Sequence, residues 1–129
     1  MSEAERWLTF AREDLRMADL ALRDGIYNQV CFHSQQCVEK ALKALVADSR
    51  KSAPPRTHGI TDLIEMLPSD WLGDLKNALT KLDDYYIPTR YPDALPGTLP
   101  EGLPEQSDAE NAVGLARNLL EKAEQIAKR

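Results

Sequence analysis

The chain is poor in the residues that usually carry metal or covalent chemistry. It has two cysteines and two histidines in 129 residues. A structural zinc site needs about four such ligands, so a metal would consume every one of them, and none is expected. Cys31 and Cys37 stand six residues apart. On a helix, at ~100° per residue, they diverge by about 120°, which excludes pairing and leaves two small buried thiols. Basic residues are outnumbered, with 16 Lys+Arg against 21 Asp+Glu and a net charge of −5. That balance excludes broad electrostatic binding to nucleic acid or an anionic membrane, though not a local basic site. Long apolar runs are missing too. No stretch approaches the ~18 residues of a membrane span. The opening Met1-Ser2-Glu3-Ala4-Glu5-Arg6 lacks the apolar core of a signal peptide. A cytoplasmic, reducing location with no membrane partner is the expectation.

What is present fits one globular domain over residues 1–129. Hydrophobic residues make up 43% and charged residues 29%, too apolar for a disordered chain. A chain of this length buries roughly two-thirds of its unfolded surface without needing a disulfide.

The hydrophobic spacing reads as helices throughout. Residues 2–23 open with the capping box Ser2-x-x-Glu5 and place Leu8, Ala11, Leu15, Ala18 and Leu22 on one stripe. Gly25 ends that helix. Residues 26–48 form a second long helix with Val30, Cys37, Ala41, Ala44 and Leu45 inward, stopped by Pro54 and Pro55. Residues 58–67 read as a short helix with Ile60, Leu63, Ile64 and Leu67 inward, ended by Pro68. Ser69 or Asp70 is expected to cap a fourth helix carrying Leu72, Leu75, Leu79 and Leu82. Prolines at 88, 92, 96, 100 and 104 then break any regular element over 87–106. Loops this long are often functional; the plain alternative is a connector. Ser107-x-x-Glu110 is expected to cap a last helix over 108–127. The fold class is all-α, an up-and-down bundle of about five helices with a long proline-rich loop before the last.

Chemistry concentrates in two places. His33, Gln36, Lys40 and Lys43 fall within roughly an 80° arc of the second helix, a set that suits a phosphate group. The alternative is an ordinary solvated flank. Tyr85-Tyr86-Ile87-Pro88-Thr89-Arg90-Tyr91-Pro92-Asp93 joins an anion-gripping guanidinium to stacking rings. Its plain version is an Arg90–Asp93 turn. His58 stands at a helix start, where the dipole disfavours its charged form. Nucleotide-binding glycine loops, a serine-nucleophile elbow and a zinc-protease motif are all absent. Asp83 and Asp84 are adjacent on a helix and do not face one another.

The string Gly25-Ile26-Tyr27 through Phe32-His33-Ser34-Gln35-Gln36-Cys37-Val38-Glu39-Lys40-Ala41-Leu42-Lys43 resembles the second helix of HEPN domains, the higher eukaryotes and prokaryotes nucleotide-binding group. Thr57-His58, Arg90-Tyr91-Pro92-Asp93 and Ala11-x-x-Asp14-Leu15-x-x-Ala18 look like further marks of it. The resemblance implies a five-helix bundle, a homodimer, and a minimal nucleotidyltransferase as partner in a toxin–antitoxin-like pair. It also implies a nucleotide or short RNA as ligand. Many members are metal-independent ribonucleases using Arg-x4–6-His. Here the three positions after Arg90 hold Leu95, Pro96 and Gly97. No catalytic set therefore follows directly, although His33, His58 and Arg90 remain candidates for a rearranged site. The expected ligand contacts are His33, Gln36, Lys40, Lys43, Arg90, Tyr91 and Asp93. A non-catalytic interaction module is the third possibility. In such pairs the partner can attach nucleotides to a tyrosine, for which Tyr85, Tyr86 and Tyr91 are available. The local basic group of Lys40, Lys43, Arg50, Lys51 and Arg56 matches a nucleotide or a short backbone stretch, not a long duplex.

Overall fold

The computed structural model describes residues 2–50, 53, 54, 56, 59–85 and 103–128. Five helices are present, and no strand occurs among these residues. They are α1 (Glu3–Arg23), α2 (Tyr27–Arg50), α3 (Ile60–Glu65), α4 (Leu75–Tyr85) and α5 (Gln106–Lys128). His58, Arg90, Tyr91 and Asp93, with Tyr86 and most of the proline-rich stretch, lie outside the described residues. The side chains of Asp83, Asp84 and Tyr85 lie outside them too.

Local chemistry sets most of the boundaries. Ser2 caps α1 by accepting from the Glu5 amide at 3.1 Å. The far end closes with paired bonds, Gly25 N–H to Leu22 O and Ile26 N–H to Ala21 O. Gly25 sits at φ 74, which a side chain would strain. Two starts differ from expectation. The fourth helix begins at Leu75 and not after Ser69 or Asp70, because Gly73 takes φ 56 and breaks the helical path. Leu72 is buried all the same. The last helix begins at Gln106. Asp108, and not Ser107, supplies the end contact, accepting from the Glu105 amide at 2.9 Å. This is the returning half of a capping box, shifted by two residues.

α2 lies at the centre. Trp7 meets Lys43 while Asp14 meets His33 and Lys40, so α1 and α2 run in opposite senses. Asp19 pairs with Arg117 and Arg12 with Glu124, so α1 and α5 do likewise. α3 and α4 close the remaining side over Ile60, Leu63, Leu79 and Leu82, all buried. Small residues line the seams of the three long helices. Ala11, Ala18, Cys37, Ala41, Ala112 and Ala116 are essentially inaccessible, which lets the backbones approach closely. No described helix is long and apolar enough to cross a membrane.

Both cysteines are free and fully buried. Burial, reinforced by the Asp14 charge, pushes the Cys37 thiol up to about 12 from 9.0. The folded state therefore holds the thiol protonated while the unfolded state ionises first. This contribution to stability is whole below pH 9 and fades as pH climbs towards 12. A thiol-exchange assay at about pH 8 is expected to find neither cysteine reactive in the native chain and both reactive in denaturant. Rapid native labelling would contradict the burial.

Candidate functional site

Asp14 is the organising group, and the sequence stripe did not single it out for that role. It lies on the edge of the buried face of α1, between Ala11 and Ala18, and is 8% exposed. The two alanines leave room for α2 to come within reach of a short side chain. The carboxylate takes two donors that α2 offers, one imidazole and one ammonium. His33 Nδ1 sits 3.0 Å from one oxygen, and Lys40 Nζ sits 2.5 Å from the other. An ionised carboxylate only accepts, so Nδ1 carries the proton and donates. Nε2 is then the nitrogen left over, on a ring that is still 23% exposed. The Phe32 ring packs against the imidazole at 5.2 Å. The ring is thus oriented from two sides.

The predicted arc on α2 divides in two. His33 and Lys40 converge on Asp14. Gln36 is half-buried one turn along from His33, and its amide has no partner among the described residues. Lys43 turns elsewhere: it is 5% exposed, pairs with Glu39 at 3.6 Å, and lies 4.9 Å over the Trp7 ring. Both ammonium groups expected to meet an anion are therefore already matched by carboxylates. His33 Nε2 and the Gln36 amide are the open polar groups of the set. With Nδ1–H committed to Asp14, the neutral ring accepts a hydrogen bond at Nε2, and only the protonated ring donates one there.

A groove of about 360 Å³ lies on the other side of α1, against α5. Arg12, Arg16, Asp19, Arg117 and Glu124 line it, and none of the predicted site residues does. Its Arg117–Asp19 pair, at 2.6 Å, ties the two helices together.

With this geometry in place, the comparisons with known proteins fall into line. The HEPN domain model matches residues 4–126. A Methanocaldococcus jannaschii protein named "Putative toxin MJ1304" is 33% identical, the alignment covering 92% of this chain and 84% of that one. A crystal structure of TT1696 from Thermus thermophilus superposes with a TM-score of 0.76 at 40% identity, covering 97% of this chain and 98% of that one. A structure of ST0689, titled an archaeal HEPN homologue, gives 0.76 at 32% identity over 98% and 99%. The chain belongs to the HEPN family.

The Asp14 cluster predicts its own signature in stability. Asp14→Ala leaves the His33 Nδ1–H and the Lys40 ammonium, both partly buried, without their acceptor and is expected to cost about 2 kcal/mol in urea denaturation. An Asp14→Ala loss below about 0.5 kcal/mol, the range of an ordinary surface pair, would contradict the central role of this carboxylate.

Proposed function

We propose that this chain is the HEPN member of a toxin–antitoxin-like pair with a minimal nucleotidyltransferase, and that it binds a nucleotide or other phosphorylated ligand. The observation that supports a ligand site is the imidazole of His33, held at Nδ1 by Asp14 on a ring that is still 23% exposed. On this reading His33 and Gln36 make the direct contacts. Lys40 adds positive charge from behind while balancing Asp14, and Lys43 acts only through its charge from beneath Trp7. Arg90, Tyr91 and Asp93 complete the proposed set from outside the described residues. The toxin name of the relative supports the pairing.

Titration calorimetry with ATP, GTP, AMP and GMP at about 100 μM protein tests the ligand. Binding of at least one is expected, at about −5 kcal/mol or better, and His33→Ala is expected to weaken it at least tenfold. No heat with any of the four would contradict it. Co-expression with a nucleotidyltransferase encoded beside the gene tests the pairing, with a stable complex expected; separate elution would count against it.

The same carboxylate-held imidazole also favours a second reading, a metal-independent ribonuclease. Nε2 would take the proton from a ribose hydroxyl while a cation steadies the phosphate. Purified chain should then cut RNA in EDTA and lose that activity in Arg90→Ala and in one of His33→Ala and His58→Ala. Cutting that survives both His33→Ala and His58→Ala removes this reading.

A further inference from the structure

His33 and Lys40 act on one another through the carboxylate they share. His33 Nδ1 lies 3.0 Å from one oxygen of Asp14, and Lys40 Nζ lies 2.5 Å from the other. A carboxylate against Nδ1 favours the imidazolium, because its negative charge stabilises a second proton on the ring. An ammonium on the far oxygen works against this. It cancels most of the carboxylate's charge and brings a positive one of its own close to the ring. The Asp14 side chain is 11% exposed and that of Lys40 26%, so water and salt screen neither charge fully.

The other charges near the ring leave the balance to this pair. Asp19 of α1 is held by Arg117 of α5 at 2.6 Å, and the two offset each other. The Cys37 thiol of α2, pushed by burial up to about 12, is neutral at any ordinary pH. Lys43 is matched by Glu39 and turned towards Trp7. Among the described residues, Asp14 and Lys40 therefore govern whether His33 takes a second proton.

We propose that Lys40 is a positioning residue for His33: its ammonium neutralises Asp14, so the carboxylate orients the ring through Nδ1–H without also drawing a proton onto Nε2. A carboxylate alone would do both. With Lys40 in place Nε2 keeps its lone pair and accepts, so the ligand group it meets is a donor, a hydroxyl or an N–H, and not a bare phosphate oxygen. Removing the Lys40 charge makes the same nitrogen a cationic donor over a wider range of pH. The donor assignment rests on the ligand site proposed above. The role of Lys40 does not, and it is read on the free chain.

A nitrogen-15 titration of the His33 ring tests this role. Lys40→Met is expected to raise the His33 midpoint by about one pH unit, a tenfold gain in proton affinity, the scale of one unit charge removed at ~6 Å from a partly exposed site. Lys40→Gln keeps a donor, loses the charge and is expected to give the same rise, so the test stands even where Lys40→Met fails to fold. Lys40→Arg keeps the charge and is expected to stay near the parent. In D14N/K40M both charges are gone, and the midpoint is expected to return to within about half a unit of the parent. Midpoints in Lys40→Met and Lys40→Gln equal to the parent's, or an equal rise in Lys40→Arg, would overturn the proposal. Inorganic phosphate at about pH 8 is expected to leave the parent's Nε2 signal unmoved. A shift with phosphate alone would overturn the donor assignment. A chain that binds no nucleotide in calorimetry yet shows the rise in Lys40→Met loses the ligand reading and keeps the role of Lys40.

Discussion

One short carboxylate sets the terms for the α1–α2 seam. Asp14 is nearly buried, and an unpaired charge there would cost several kcal/mol. It persists because α2 brings an imidazole to one oxygen and an ammonium to the other. Those bonds are possible only where the backbones come close, which Ala11 and Ala18 on α1 and Cys37 and Ala41 on α2 allow. The same contact fixes how far α1 is slid along α2. Packing of small side chains alone would specify that register weakly.

The cluster also decides what the face of α2 can offer a ligand. An acidic chain has few cations to spare, and Lys40 and Lys43 are both matched within the fold. The result is not a positively charged track. It is a balanced cluster with one oriented imidazole at its edge, a poor match for the backbone of a long duplex.

Much of the helical fold was legible in the sequence, because a period of 3.6 in Leu and Ala leaves little choice of element. Ser2 and Gly25 marked their ends through chemistry that is local to the chain. The errors fell where a tertiary or conformational effect competed. Gly73 in the left-handed region delays α4 although Leu72 is still drawn into the core. Asp108 outcompetes Ser107 at the start of α5. At the site, His33 and Lys40 were legible as a polar pair on one face of α2. Their joint partner was not, because Asp14 is 19 and 26 residues away and sits in a stripe otherwise read as core. An acid placed between two alanines on an inward-facing edge was the available signal. The burial of Lys43 left no such trace, since its cover is a tryptophan from another helix.

The central claim is that Asp14 holds His33 by Nδ1 and leaves Nε2 open. Nitrogen-15 spectra of the His33 ring above the ordinary imidazole range, at about pH 8, read this directly. The account predicts a single tautomer with the proton on Nδ1, and a mixed population in Asp14→Ala. A ring protonated on Nε2 in the parent chain would contradict it.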